Sequence, residues 1–299
     1  MAVSKLNPVS GGVTQKVQEF TATGSFVTPS NCSAIEILLV GGGGGGGSAR
    51  CNTGNKNGGG GGAGGQVRKQ SLVVTPGTTY TVTIGAGGAG GTSAGAGAKG
   101  TNSTFGALLT AMGGSPGGGS SDVTPGTYAN TTINSGWNVG GPSAGNDQLY
   151  LLTNAAGGSG GPATLQGSFA ASSYNMYLSP GATGVLNGYQ SIGMGGTFYS
   201  QQTMVLYGGA AVDGLYGGGG CGPWQGNTTS HGVGYKNVFP GPNAGSGGNY
   251  TTSGVTTTGT AGTANFGGGG GGAAVFQAVA TTADGGAGGS GYCLVTYWS

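Results

Sequence analysis

The sequence predicts an all-β fold: a small β-sheet module closed by the N- and C-terminal strands, plus a glycine-rich polyproline II bundle, with essentially no α-helix. Three observations support this prediction. Glycine supplies 78 of the 299 residues and is concentrated in blocks. No segment repeats apolar residues at the helical period, and each interior glycine costs a helix about 1 kcal/mol relative to alanine. Short apolar segments rich in β-branched residues lie near both ends of the chain.

The glycine blocks are predicted to pack against one another. Gly41 to Gly47 is an unbroken run, and 58–62, 217–220 and 267–272 are further blocks. Flexible linkers would separate folded domains, but the segments between these blocks are too short to fold alone. Polyproline II has three residues per turn and no internal hydrogen bonds, so a single segment needs neighbours. Because glycine has no Cβ, a glycine run can be surrounded by other backbones on every side.

Four strands are predicted from apolar and alternating segments, at 34–40, 66–74, 78–84 and 292–298. Between the second and the third, Thr75-Pro76-Gly77 suits a type II turn, with Pro at position i+1 and Gly at i+2. Residues 34–40 and 292–298 both offer apolar side chains. We expect them to share one sheet, because no other β segment nearby is predicted to bury those side chains.

The charges exclude several classes of partner. Only 5% of the residues are charged, and seven of the eight basic residues lie in the first 99. No basic patch reaches the size that nucleic-acid binding needs, so we expect no nucleic-acid partner. We expect no membrane insertion, because no apolar run approaches the ~20 residues of a membrane-spanning helix. Residues 1–12 also lack the apolar core of a signal peptide.

We predict no enzymatic activity, no cofactor and no metal site. The single histidine, His231, has no acidic residue or cysteine near it in the sequence. Asp122, Asp147 and Asp213 are the carboxylates that a glycosidase pair would use, and we rank that alternative far below a binding role. The four cysteines form no CxxC pair, so free thiols are expected.

Aromatic residues give the best sign of a binding site. Three of the 13 tyrosines lie in predicted strands, and the other ten follow residue 120 together with Trp137 and Trp224. Tyr and Trp supply rigid contact area with a polar tip, as in binding sites built from loops. We expect about half of these residues to cover the bundle and half to bind a ligand. The candidate ligand-binding residues are Trp137, Tyr174, Tyr177 and Trp224.

Ordered short motifs resemble the glycine-rich domain of bacteriophage tail-fibre and adhesin proteins. They include Glu19 to Pro29, Ile35 to Gly44, Val74 to Gly88, Thr101 to Gly106 and the closing segment from Gly285 to Tyr297. Each motif is weakly specific, but the ordered set is fairly strong and covers residues 19–299. No long N-terminal shaft is present in the sequence, and the long loops match no known pattern.

The resemblance implies a receptor-binding protein of the virion tail, assembled in the host cytoplasm. It divides the chain into an attachment arm, 1–16, and a glycine-rich β/polyproline II domain, 17–299, with variable loops at 120–207 and 223–265. The loops would contact a bacterial surface receptor, either protein or glycan. The arm would contact other tail proteins, with the chain as a homotrimer or a monomeric tip. Because the basic residues cluster near the arm, we expect adsorption to depend little on salt.

Two alternatives stay open. The chain could be a structural glycine-rich protein of a virion head, such as a head fibre or decoration protein, or of a cell envelope. Less favoured is an ice-binding protein, because a flat glycine bundle can present regular Thr and Ala faces.

Overall fold

The structure is a computed structural model that describes residues 13–51, 56–121, 180–186, 189–194, 216–220, 243–248, 255–276 and 281–299. These residues form strands, turns and extended segments, and none of them is helical. The strands are β1 (Gln15–Phe20), β2 (Gly24–Val27), β3 (Ala34–Val40), β4 (Ala49–Cys51), β5 (Lys56–Gly58), β6 (Val67–Val73), β7 (Thr79–Thr83), β8 (Ser103–Phe105), β9 (Leu109–Ala111), β10 (Ser120–Ser121), β11 (Pro180–Leu186), β12 (Tyr189–Met194), β13 (Val255–Thr257), β14 (Ala274–Phe276), β15 (Thr281–Ala283) and β16 (Tyr292–Trp298). The all-β prediction is confirmed for the described part of the chain.

Two four-stranded antiparallel sheets form a module that we call the base. The first sheet has the order β1-β16-β3-β6, and the second has the order β2-β7-β8-β9. The last strand of the chain therefore lies between β1 and β3, as expected from their apolar side chains. β1 and β6 are the outer strands of the first sheet, and among the described residues no strand hydrogen-bonds to their outer edges.

Alternation in β3 directs Ile35, Ile37 and Leu39 into the core between the two sheets. From the second sheet, Phe26 packs edge-on against Tyr297 with ring centroids 5.3 Å apart, and Phe105 lies 6.0 Å from Phe26. We were wrong to expect that only the first and last strands could bury this surface. We did not predict the short strands β2, β8 and β9, because each is only three or four residues long.

The predicted turn before β7 is present. Gly77 has a φ of 69°, the left-handed value that position i+2 of a type II turn requires. The N–H of Thr78 donates to the carbonyl oxygen of Thr75 over 3.2 Å, closing the turn. Here glycine is used for its backbone freedom, whereas in the blocks it is used for its small size.

Beyond the base, residues 41–48 form the central segment of the glycine bundle. Gly41, Gly44 and Gly47 donate their N–H groups to the carbonyl oxygens of Gln66, Ala63 and Gly60 over 2.8–2.9 Å. Gly42, Gly45 and Ser48 donate to Thr101, Ala98 and Gly95, and Gly43 and Gly46 donate to Gly289 and Gly286. The partner segment thus changes at each residue and returns every third residue, which is the repeat of polyproline II.

Six segments surround the central segment. Three run antiparallel to it and accept its N–H groups, namely 59–66, 95–101 and 286–289, and three run parallel and donate to its carbonyl oxygens, namely 85–91, 113–119 and 267–273. Each antiparallel neighbour is flanked by two parallel ones, because the six segments also hydrogen-bond to one another in a ring. Every carbonyl from Gly42 to Gly47 accepts a bond, so the interior backbone is fully satisfied.

The second long glycine run, 267–272, also lies in the interior. It contacts 41–47, 59–65 and 285–291, and in addition 217–220, 243–248 and 259–263. Outer segments carry a side chain at every third position. In 85–92 the outward residues Ala86, Ala89 and Thr92 are exposed, while Gly85, Gly88 and Gly91 are buried. Unbroken glycine therefore marks an interior segment, and a three-residue repeat with Ala or Thr marks an outer one.

Candidate functional site

The bundle separates two ends of the described structure. The central segment leaves the base at Val40 and reaches Ala49 at the far end, roughly 28 Å away at the polyproline II rise of about 3.1 Å per residue. Both described chain ends lie at the opposite side of the base, where Thr14 and Ser299 exchange two backbone hydrogen bonds of 3.1 and 3.0 Å. Thus Gln15 and Lys16, which fall within the predicted arm 1–16, belong to β1.

At the far end, bundle segments become strands that form what we call the distal cap. One sheet has the order β10-β4-β15 and the other has the order β13-β14-β5. A small core joins them, consisting of Ala49, Ala273, Val275 and Ala283. Alanine and valine suit this position, because the strands must stay as close as the glycine segments that lead into them.

Four stretches that lie outside the described residues begin or end at the distal cap. They are 52–55 between β4 and β5, the stretch that starts at 122 after β10, 249–254 before β13, and 277–280 between β14 and β15. Their attachment points follow from the strands that flank them. The distal cap is therefore our candidate functional site, since four of the stretches that lie outside the described residues begin or end there.

The structure redistributes the predicted loops. Residues 180–186 and 189–194, within predicted loop 120–207, pair as the antiparallel hairpin of β11 and β12. In predicted loop 223–265, the residues 243–248 and 255–265 belong to the scaffold, since Gly245 and Gly248 donate to the second interior segment. The four candidate residues Trp137, Tyr174, Tyr177 and Trp224 all lie outside the described residues.

Basic residues occur at both ends, contrary to our expectation. Lys16, Arg68 and Lys69 lie on β1 and β6 of the base, but Arg50 lies on β4 and Lys56 on β5, both in the distal cap. Arg50 is exposed. Arg50 and Lys56 come early in the sequence but lie in the distal cap, because the central segment runs from the base to the distal cap within the first 50 residues. Basic residues are therefore present in the distal cap as well as in the base.

An aromatic cluster at the junction of base and bundle was missed from the sequence. Tyr216 stacks between Phe266 and Tyr292, with ring centroids 5.5 and 5.4 Å away. Burial, followed by the nearby Glu19 carboxylate, raises the pKa of Tyr216. Burial is also the main cause that raises the pKa of Tyr292, whose hydroxyl bonds to Glu19. Both phenols are neutral at pH 7. The ring of Tyr216 packs the start of the 217–220 segment against Tyr292 of the base.

The described residues show little reactive chemistry. No group of three His, Cys, Asp or Glu side chains among them could hold a metal ion. Within the same residues, no helix is long and apolar enough to cross a membrane. Cys32 and Cys293 are free, buried thiols, and burial raises the pKa of Cys293 to about 12. These cysteines are core residues and not nucleophiles.

Comparison with known proteins places the scaffold in a family. A family model described as a glycine-rich domain matches residues 20–298, which include the base, the bundle and the distal cap. No curated protein matches the chain.

Proposed function

Because the chain belongs to the glycine-rich domain family, with residues 20–298 matched, we propose that it is a phage tail-fibre or receptor-binding protein that recognises the bacterial surface. One observation carries this proposal. Both described chain ends lie at the base, while four stretches that lie outside the described residues begin or end at the distal cap, at the other end of the bundle. A protein built this way can be held at one end and can present chain at the other.

The bundle makes a suitable rigid support. Its central segment hydrogen-bonds to all six of its neighbours. A Cβ on any glycine from Gly41 to Gly47 would lie less than 3.0 Å from a backbone atom of a neighbour. Such a lattice has no room for one segment to slide past another. Recognition residues on a rigid scaffold lose less freedom on binding than residues on a mobile one.

In this proposal, Trp137, Tyr174, Tyr177 and Trp224 supply aromatic contacts to a receptor protein or glycan. The residues before Val13 attach the chain to other tail proteins, either as a homotrimer or as a monomeric tip. The chain is then a virion component that is assembled in the host cytoplasm.

Adsorption of fluorescently labelled protein to a panel of bacterial strains tests the proposal. We expect binding to particular strains and competition between that binding and infection. Trp137→Ala and Trp224→Ala should reduce binding, while Trp298→Ala, at the exposed end of β16 in the base, should leave it unchanged. Equal loss in all three variants, or no adsorption by the wild-type protein, would contradict a receptor-binding role. Immunogold labelling of virions separates a tail protein from a head fibre or decoration protein.

One surface of the bundle favours a second candidate, an ice-binding protein. Three outer segments lie side by side there, with 284–290 between 85–92 and 257–264. The N–H of Gly285 donates to the carbonyl oxygen of Gly91, and the N–H of Gly262 donates to that of Ala287. Small outward side chains recur there at every third residue, a spacing of about 9 Å. Thermal hysteresis of the purified protein tests this candidate, and ordinary freezing behaviour eliminates it.

A further inference from the structure

The outer edge of β1 has a hydrogen-bonding pattern that matches itself. Thr14 and Ser299 form a hydrogen-bonded pair, and such pairs alternate along an antiparallel ladder. In the register of β1 with β16, Lys16, Gln18 and Phe20 therefore bond to β16. The N–H and C=O groups of Gln15, Val17 and Glu19 consequently point away from the sheet. Among the described residues, no strand pairs with this edge.

The edge is accessible. Gln15, Val17 and Glu19 are exposed, and Val17 has 56% of its surface in contact with solvent. An exposed edge strand is a template for pairing with another chain. Proteins commonly protect such edges with proline or a bulge, but β1 contains no proline and its register with β16 is uninterrupted.

We propose that two copies of the chain pair through β1 in an antiparallel arrangement about a twofold axis at Val17. Val17 then lies opposite Val17 of the other copy, and Gln15 lies opposite the other copy's Glu19. In this register the outward N–H and C=O groups of one copy face those of the other copy at three residue pairs. Each pair can form two backbone hydrogen bonds, which gives about six in total. If one copy is shifted by two residues in one direction, Val17 lies opposite Glu19 of the other copy. If it is shifted by four, Glu19 lies opposite Glu19 and the like charges repel.

The charged residues support the same register. Gln15 can donate its side-chain amide to the Glu19 carboxylate of the other copy on each side of the axis. On the opposite face of the sheet, Lys16 lies across from Gln18 of the other copy, so no two like charges face each other directly. The paired sheets would form one eight-stranded sheet, with the two distal caps at opposite ends of the particle. This inference does not depend on the proposed receptor-binding role, but it replaces the homotrimer or monomeric tip of that proposal with a dimer.

Sedimentation equilibrium of the purified full-length protein tests the proposal through charge. We expect a concentration-dependent dimer. Gln15→Lys places a lysine opposite each Glu19 and should tighten the dimer about threefold to tenfold, while Gln15→Glu should weaken it by a similar factor. A charge swap of this kind has the predicted signs only if residues 15 and 19 face each other.

Proline variants at the two edges of the same sheet provide the matched control. Val17→Pro removes an outward N–H and should leave a folded monomer. Val73→Pro should not change the dimer, because Val74 bonds inward to Ser33 and Val73 therefore also points outward, but on β6. A wild-type monomer or trimer at the highest soluble concentration, or a dimer that survives Val17→Pro, would overturn the proposal. Equal weakening by both proline variants would overturn it as well.

Discussion

The N–H of Gly44 donates a 2.8 Å hydrogen bond to the carbonyl oxygen of Ala63, in the antiparallel neighbour of the central segment. On the other side, the carbonyl oxygen of Gly44 accepts a 2.9 Å bond from the N–H of Gly270. A third neighbour fills the remaining direction, since a Cβ on Gly44 would overlap the carbonyl oxygen of Ser115. One residue thus joins four segments of the bundle. Two distant segments must therefore be in place before the backbone groups of Gly44 are hydrogen-bonded, and a third before its remaining side is packed.

Gly44→Ala is expected to destabilise the protein by about 1–3 kcal/mol or more, because the added methyl group meets backbone and not a side chain that can move. Gly269→Ala should behave similarly, since its methyl group would overlap the carbonyl oxygen of Gly62. Thermal melting measures both effects. Ala89→Ser is the control, because Ala89 is an exposed outward residue of an outer segment. If the blocks were linkers, both glycine variants would melt like the wild type.

Phe26→Ala is expected to destabilise the protein by about 3–5 kcal/mol, since Phe26 is fully buried between Phe105 and Tyr297. The neighbouring residue offers a control, because Val27 is 60% exposed and Val27→Ala should change stability by less than about 0.5 kcal/mol. Chemical denaturation of the two variants gives the comparison. Equal losses would mean that the second sheet does not cover the first.

Ala94→Gly is expected to stabilise the protein by about 1 kcal/mol. Ala94 has a φ of 69° in the turn between two outer segments, a left-handed conformation that costs an alanine roughly 1–2 kcal/mol. Glycine relieves that strain, while its greater freedom in the unfolded chain offsets part of the gain. Melting of this variant should exceed that of the wild type, and a decrease would show that the turn does not strain Ala94.

Stability is expected to fall between about pH 9 and pH 12. Burial raises the pKa of Cys293 from its ordinary value of 9.0 to about 12, so the folded protein holds this proton where the unfolded chain has lost it. The stabilisation is complete below pH 9 and is lost as the pH rises through the folded pKa. Tyr216 and Tyr292 shift in the same direction. Cys293→Ala should therefore flatten the plot of melting temperature against pH, and an unchanged slope would assign the effect to the tyrosines.

Adsorption is expected to change little between low and moderate salt if aromatic residues carry it. Arg50 provides the internal test, because it is an exposed basic residue of the distal cap. Arg50→Ala should leave adsorption within about twofold of the wild type, and Lys99→Ala, at an exposed position along the bundle, is the control. A steep salt dependence that disappears in Arg50→Ala would instead identify an anionic receptor.

The base illustrates how far local patterns reach. Strand β3 was predicted with its observed bounds, since Ala34–Val40 contains β-branched residues and is bounded by Pro29-Ser30-Asn31 and glycine. The short strands β2, β8 and β9 carry too few residues for a period to be recognised, yet they supply Phe26, Phe105, Leu109 and Ala111, four of the 13 buried residues of the core. Tyr216 could have been noticed, since it directly precedes Gly217 to Gly220, but only the fold shows that it stacks on Tyr292.

The candidate site was predictable only in outline. Long stretches poor in glycine separate the blocks, and from them the sequence predicts loops. The sequence could not predict which of those stretches begin or end at the distal cap, because the direction of each segment along the bundle depends on which segments run parallel to it. Residues 243–248 show the difference, since their two well-placed glycines are too few to stand out from a loop.

The sequence by itself determined, for the residues that the structure describes, that no helix forms, that apolar strands lie near the two ends of the chain, and that the glycine runs are enclosed by other backbones. These properties are local, since they depend on propensity, alternation and the absence of a Cβ. Only the tertiary structure decided which segments surround Gly41 to Gly47, which end of the bundle each reaches, and which edge of the base stays open. The physical reason is that glycine runs have no side chains to distinguish one partner from another. The strands and turns that flank each run therefore set its direction and its neighbours.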